Sequence, residues 1–71
     1  MSKERFMVLR LYNEMTQHEM AVFLNVSQST IDAIESGVRG LSPYMRGRVA
    51  ARFKLDADFE EYYENYKRTS I

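Results

Sequence analysis

The chain has 71 residues, of which ten are basic and ten acidic, so its formal net charge at pH 7 is zero. This length predicts one small domain spanning residues 1–71. The chain contains no cysteine, which excludes disulfides and thiolate metal sites and is typical of a reducing compartment. No apolar run approaches the roughly 18 residues of a membrane span, and residues 1–3 do not open a signal peptide. We therefore expect a cytoplasmic protein.

The charges are distributed unevenly along the chain. Half of the basic residues lie between positions 39 and 54, and half of the acidic residues lie between positions 56 and 64. A net charge of zero weighs against nucleic-acid binding, because domains that bind nucleic acid are often basic. The uneven distribution could still produce one basic face and one acidic face. The alternative interpretation is ordinary solvated charge on helix surfaces.

The stretch before position 14 predicts a first helix, at residues 2–13. Phe6, Leu9 and either Tyr12 or Asn13 recur at steps of three and four residues, which is the spacing of one helix face. Because further apolar residues widen this face, we expect much of the helix to be buried.

Residues 16–37 predict two short helices joined by a tight turn. Thr16 can cap the first of them, because Glu19 follows three positions later as a capping box requires. The turn must reverse the chain within about one helical turn, and it needs a residue with positive φ. Asn25 is the best non-glycine residue for that conformation. This arrangement is a helix-turn-helix.

The second helix of this motif has clear start and stop signals. The Ser27 hydroxyl can accept a hydrogen bond from the amide of Ser29 or of Thr30. Two isoleucines three residues apart indicate the buried face. Gly37 ends the helix, because glycine adopts the left-handed conformation past a helix end most cheaply.

A fourth helix follows a loop with two glycines nearby. Ser42 and Pro43 supply a cap followed by proline at the first helical position. The expected core-facing stripe consists of Tyr44, Met45, Val49 and Phe53. Gly47 lies inside this helix, where it costs up to about 1 kcal/mol relative to alanine. We interpret it as allowing another helix to approach closely.

A fifth helix completes an all-α arrangement around one core. Asp56 or Asp58 can cap its start. Four aromatic residues follow at helical spacing: Phe59, Tyr62, Tyr63 and Tyr66. The tail at residues 69–71 is expected to fray.

Six residues of the central motif carry a family resemblance: Gln17, Ala21, Asn25, Val26, Ile31 and Ile34. They fall at the spacing of the helix-turn-helix in phage repressors and Cro-like proteins, and Glu35 and Gly37 follow. The chain therefore resembles the Cro/repressor-type helix-turn-helix family, with a looser similarity over residues 6–59. Asn25 replaces the family's usual glycine. The resemblance implies a compact, five-helix, lambda-repressor-like DNA-binding domain of phage or prophage type.

This fold places the second motif helix in the major groove with its first residues on base edges. The residues expected to read bases are Gln28, Ser29, Thr30 and Asp32. Glutamine can pair bidentately with adenine, serine can donate or accept, and a carboxylate can accept from cytosine. The alternative interpretation of Gln28 and Ser29 is that they are exposed polar residues favoured near a helix start.

A separate set of residues is expected to contact phosphate. In the resembling repressors the glutamine that opens the first motif helix does so, and Gln17 occupies that position here. Ser36, Arg39 and Arg10 complete the expected set. Because a carboxylate near phosphate is repulsive, Asp32 adds little general affinity and these neighbours must supply it.

The aromatic stripe of the fifth helix has two interpretations. Core packing is the default, since Phe59 should close the core. The three tyrosines exceed the needs of so small a core, and tyrosine is favoured at interfaces. The candidate protein interface is therefore Phe59, Tyr62, Tyr63 and Tyr66, for a homodimer as in the resembling family or for a different protein. Three glutamates on the same helix weigh against self-pairing.

Nothing in the sequence predicts catalysis, a metal site or a cofactor. His18 is the single histidine, and the glycines form no phosphate-binding loop. Two functions remain. The first is a sequence-specific transcriptional regulator that binds a double-stranded DNA operator as a small dimer. The second is a protein-interaction module on the same fold, such as an antirepressor or an antitoxin-like partner.

Overall fold

A computed structural model of the chain describes residues 1–69, which form five α-helices and no β-strand. The helices are α1 (Lys3–Tyr12), α2 (Gln17–Leu24), α3 (Gln28–Ser36), α4 (Pro43–Arg52) and α5 (Ala57–Thr69). Helix α1 packs against α3 and α5, and α2 packs against α3 and α4. The predicted all-α, five-helix architecture is confirmed. Of the tail expected to fray, Thr69 ends α5, and the other two residues lie outside the described part of the chain.

The helix starts depend on side chains that bond the backbone of the first turn. Thr16 Oγ1 accepts from the amide of Glu19 at 3.0 Å, and Glu19 Oε1 accepts from the amide of Thr16 at 2.9 Å, which completes the capping box. These bonds hold the pKa of Glu19 below its usual value. The Ser27 hydroxyl accepts from the amide of Thr30, the second of its two candidate donors.

The turns of the motif have the backbone conformations expected from the sequence. Asn25 is left-handed, with φ 57° and ψ 50°, and the amide of Val26 donates to the carbonyl of Ala21 at 2.9 Å. Gly37 has φ 84° after the end of α3. Glu14, between α1 and α2, also has positive φ, at 55°, and no sequence signal predicted it.

Every helix contributes to the core, which contains Phe6, Val8, Leu9, Met20, Ala21, Leu24, Ile31, Ile34, Met45, Val49, Phe53 and Phe59. Tyr44 was expected among them but is 62% exposed, so that prediction is wrong. The buried positions of α4 are Met45 and Val49, and Phe53, the residue directly after the helix, continues this row at four-residue spacing. Tyr44 lies one residue before this row and therefore on another side of the helix.

Helix α5 is held against α1 by contacts around Arg5. The guanidinium lies 5.1 Å from the ring centroid of Phe59 and 5.4 Å from that of Tyr63. Its two Nη atoms donate to the two carboxylate oxygens of Glu60, each at 2.7 Å. This bidentate bond raises the pKa of Arg5 and lowers that of Glu60. At the start of the helix, Asp56 accepts from the amide of Phe59 and so is the cap.

A largely buried ion pair joins α1 to α3. Arg10 Nε donates to Glu35 Oε2 at 2.7 Å, and Arg10 Nη2 donates to Glu35 Oε1 at 2.9 Å. Arg10 Nη1 donates to the carbonyl of Met15 at 3.0 Å, and the bond to Glu35 raises the pKa of Arg10. Gln17 Nε2 donates to Glu35 Oε1 at 3.3 Å. Three helices therefore meet at one carboxylate, since Gln17 opens α2.

Replacing one partner of this pair should destabilise the fold strongly. Arg10→Met leaves the Glu35 carboxylate without its guanidinium in a site largely closed to water, so the free energy of unfolding should fall by about 3 kcal/mol. The double variant Arg10→Met/Glu35→Leu removes both charges and should recover a large part of that loss. Urea denaturation followed by circular dichroism measures both. Equal losses in the two variants would show that lost packing, rather than the unpaired charge, dominates.

Gly47 does not have the role expected from the sequence. A Cβ added to it would meet nothing within 4 Å among the described residues outside its own helix. No other helix approaches closely there, so the interpretation of Gly47 as a close-approach residue is wrong. The residue is an exposed glycine in a helix interior.

Gly47→Ala should therefore raise stability by about 0.5–1 kcal/mol, because alanine has less backbone entropy to lose in a helix. Gly37→Ala is the matched control with the opposite sign, since φ 84° strains alanine and its Cβ would lie 3.2 Å from Lys3 Nζ. Thermal denaturation should give a higher Tm for the first variant and a lower Tm for the second. If the Tm of Gly47→Ala were below that of wild type, the conclusion that Gly47 has no close neighbour outside its own helix would be contradicted.

Candidate nucleic-acid interface

The outward side of α3 carries most of the residues expected to read bases. Ile31 and Ile34 are buried in the core. Successive residues are about 100° apart around a helix, so the residues that are not in line with these two isoleucines form the side of α3 that faces away from the core. We call this side the reading face, and it consists of Gln28, Ser29, Asp32, Ala33 and Ser36. All of them are exposed except Ala33, which is half-buried.

Thr30 lies beside the reading face and is half-buried. Its Oγ1 is 2.9 Å from Ser27 Oγ, which is also 3.0 Å from Ser29 Oγ. The hydroxyl of Ser27 thus bonds both of the other hydroxyls at the start of α3. Of the four residues expected to read bases, Gln28, Ser29 and Asp32 share one exposed face, and Thr30 is turned to its edge.

Three of the four residues expected to contact phosphate gather at the other end of α3. Gln17 bonds Glu35 in its last turn, and Ser36 is its last residue. The amide of Arg39 donates to the carbonyl of Ala33 at 3.2 Å, which turns the following loop back along the helix. The side chain of Arg39 is exposed. This end lies roughly 12 Å from Gln28 along the axis of α3.

Arg10 does not belong to this group, which corrects the expectation that it contacts phosphate. Its Nε, Nη1 and Nη2 donate to Glu35 and to the carbonyl of Met15. Its side chain is only 14% exposed, and that of Glu35 is 7% exposed. The influence of Arg10 on the interface is therefore indirect, through Glu35 and Gln17.

Sequence reasoning gave Glu35 no role at the interface. Its carboxylate accepts from Gln17 Nε2 and so holds that amide at the start of α2. The sequence contained one signal for this ion pair. Glu35 is an acidic residue on the core side of its helix, and Arg10 is a basic residue on the core side of another. Their pairing spans 25 positions, and helix periodicity carries no information about contacts between helices.

Few basic side chains lie near the reading face, and apart from Arg39 the one that the structure places at this helix is Lys3, whose Nζ lies about 3.2 Å from the position of a Cβ on Gly37. Asp32 is its one charged residue, and the charge of Glu35 is paired with Arg10. Arg39 is the one basic residue of the segment from Gly37 to Ser42. A nucleic acid on this face would meet hydrogen-bonding groups more than net positive charge.

The aromatic residues of α5 differ in exposure. Phe59 is fully buried, which confirms the default interpretation that it closes the core and corrects its inclusion in the candidate protein interface. Tyr63 stacks parallel to Phe59, with ring centroids 6.2 Å apart, and is half-buried. Tyr62 contacts Tyr12 with centroids 5.1 Å apart and remains exposed. Tyr66 is half-buried.

Other chemical groups at the surface are sparse. His18 is exposed in the first turn of α2. Within residues 1–69, no group of three or more histidine, aspartate or glutamate side chains is placed to hold a metal ion. No helix in that part of the chain is long and apolar enough to cross a membrane.

The helix-turn-helix arrangement of α2 and α3 agrees with the comparison against known families. A helix-turn-helix family model matches residues 9–59, from the end of α1 to the start of α5. The comparisons with curated proteins and with solved structures gave no match. The family match covers more than half of the chain and includes the whole motif. The chain thus belongs to the Cro/repressor-type helix-turn-helix family of DNA-binding transcriptional regulators.

Proposed function

We propose that the protein is a repressor of phage or prophage type that occupies a double-stranded DNA operator and thereby excludes RNA polymerase. Helix α3 lies in the major groove with its first turns toward the base edges. The observation that carries this proposal is the two-sided character of α3. Its reading face is polar and exposed, while the isoleucines opposite are buried in the core.

The residues of the reading face suit particular base contacts. The amide of Gln28 can pair bidentately with adenine N6 and N7, and the carboxylate of Asp32 can accept from cytosine N4. The hydroxyl of Ser29, which already bonds Ser27, can donate to or accept from a base. Thr30, being half-buried, contributes at the edge of the contact.

Phosphate contacts come from residues at the C-terminal end of α3, away from Gln28. Gln17, held by Glu35, presents its amide at the start of α2, where a helix dipole also favours an anion. Ser36 and Arg39 extend the contact, Arg39 with the only full positive charge of the three. Each phosphate that the protein neutralises makes the slope of log K against log salt concentration steeper by about 0.9. With so few cations, affinity should depend on salt only weakly, and non-specific binding should be low.

Selection of bound sequences from random duplex DNA, at low and at moderate salt, tests this function. Wild type should enrich one defined sequence. Gln28→Ala and Ser29→Ala should each relax the preference at particular positions, because a good contact discriminates by about 1–3 kcal/mol. Arg39→Ala is the matched control, since a lost phosphate contact weakens all sequences equally and lowers the salt slope by about one. Equal losses on selected and random DNA for the first two variants would contradict base reading.

We further infer that two copies bind the operator as a homodimer through α5. One recognition helix reads few base pairs, and a two-fold dimer presents two of them roughly 34 Å apart. A shallow groove runs along α5 and is lined by Tyr62, Asn65, Tyr66 and Thr69. Two glutamates that weighed against self-pairing have partners within the chain, because Glu60 bonds Arg5 and Glu64 bonds Lys67. Glu61 is the third of these glutamates and is exposed.

Asn65→Glu should weaken dimerisation by about tenfold, or ~1.4 kcal/mol, because it places like charges on both sides of the two-fold axis. Ala51→Glu is the matched control, since it adds the same charge at an exposed position of α4 outside the groove. Sedimentation of the free protein and of its complex with a near-palindromic duplex measures the effect. A wild type that stays monomeric on that duplex would contradict the homodimer and favour a different protein as the partner.

A second function has observations in its favour. The net charge is zero and the reading face carries Asp32, which suits binding to a protein better than binding to DNA. On this alternative the chain is an antirepressor or an antitoxin-like partner that binds another regulator through α5. The selection experiment discriminates between the two. If wild type enriches no sequence even at low salt, operator binding is contradicted and the alternative is favoured.

A further inference from the structure

Helix α4 presents a row of polar side chains beside the C-terminal end of α2. Tyr44, Arg48 and Arg52 are four residues apart, so they follow one side of α4 over roughly 12 Å. Arg48 Nε donates to the carbonyl of Leu24, the last residue of α2, at 2.6 Å. The guanidinium of Arg48 also lies 5.3 Å from the ring centroid of Tyr44. The row is thereby anchored to α2 at its centre.

Large apolar side chains border this row. Phe23, next to Leu24, packs edge-on against Phe53 with ring centroids 5.1 Å apart. Phe23 is nevertheless 37% exposed, and Val22 beside it is 68% exposed. Val22 and Phe23 are thus two consecutive large apolar residues that the fold leaves exposed, and exposed apolar groups beside polar ones can mark an interaction site. The α2–α4 surface, as we name it, consists of Val22, Phe23, Tyr44, Arg48 and Arg52, and the buried ring of Phe53 supports Phe23 from below.

The charge on the α4 side of this surface is positive. Helix α4 contains three arginines and no acidic residue, and Lys54 follows it. Glu19, one turn before Phe23, turns back to bond the amide of Thr16. Arg48 uses its Nε on a carbonyl, and its two Nη atoms retain the geometry that pairs bidentately with a carboxylate. The surface therefore combines the exposed rings of Phe23 and Tyr44 with positive charge, and its central cation, Arg48, is held in place by the carbonyl of Leu24.

We propose that the α2–α4 surface binds a second protein through an acidic amphipathic helix. A helix laid along the row matches its length of about two turns, as in helix-in-groove recognition. Carboxylates four residues apart on the partner pair with Arg48 and Arg52, and an apolar side chain between them packs against Phe23 and Tyr44. Aromatic and arginine side chains are the residue types that dominate such interfaces. The surface uses neither the reading face of α3 nor the groove of α5.

Other occupants suit this surface less well. DNA phosphates could pair with the arginines, but they would leave the exposed ring of Phe23 and the side chain of Val22 in water. A second copy could offer its acidic α5, but Glu60 and Glu64 of that helix already form ion pairs within their own chain. An acidic helix of another protein satisfies both the charge and the apolar groups.

The test uses a fluorescent synthetic peptide of about 15 residues, enough for a short helix, with Glu and Asp on one face and Leu and Phe on the other. A peptide with Gln and Asn in place of the acids is the control probe. Anisotropy measures binding to the full chain and to Tyr44→Ala and Arg52→Glu, both at exposed positions. Arg46→Glu is the matched control, because Arg46 is an exposed arginine of the same helix that borders Leu41 and Ala50 instead.

We expect wild type to bind the acidic peptide, and Tyr44→Ala and Arg52→Glu each to bind it at least about tenfold more weakly, as for central interface residues. The Kd of Arg46→Glu for the acidic peptide should stay within about twofold of the wild-type Kd, as expected for a charge outside the contact. Absence of wild-type binding, or an equal loss in Arg46→Glu, would overturn the proposal. Duplex DNA binding by Tyr44→Ala and Arg52→Glu is measured in parallel. A matching loss there would assign the surface to nucleic acid instead.

Discussion

The position of α3 depends on one largely buried carboxylate, that of Glu35. Removing a carboxylate and a guanidinium from water costs several kcal/mol per ion. The bidentate bond to Arg10, the bond from Arg10 to the carbonyl of Met15 and the bond from Gln17 together offset that cost. Because α1 and α2 both bond the last turn of α3, that helix cannot slide or rotate without leaving buried charge unpaired. We therefore expect the ion pair to contribute more to the orientation of α3 than to the stability of the fold.

The start of α3 is controlled by local backbone chemistry instead. Asn25 supplies the left-handed residue that reverses the chain, and Ser27 caps the first turn. A helix of nine residues is too short to be stable alone in water. It persists here because one end is capped, the other is bonded to two helices, and Ile31 and Ile34 are buried between. A helix so constrained can present its outward side chains to a ligand with little further loss of entropy.

The distribution of charge separates the surfaces of the molecule. Negative charge on α5 is partly neutralised within the chain, through the bonds to Arg5 and Lys67. Positive charge is concentrated on α4, whereas the reading face has Asp32 as its one charge. On the proposed function, such a regulator obtains little affinity from phosphate attraction. Its affinity must come from base contacts and from the second copy of α3 that a dimer presents. Both of these favour selective over non-specific binding.

The sequence by itself determined the helices, the motif, the family and most of the reading face. Caps and left-handed turns are local, so Asn25 and Gly37 identify their own conformations, and a helical period identifies which residues share a side. Tertiary structure decided the surroundings of individual side chains. Arg10 proved to be an internal partner of Glu35, and Tyr44 proved to be exposed. Periodicity specifies the direction of a side chain around its own helix, but burial and pairing depend on which other helix covers that side, and only the packed fold determines that.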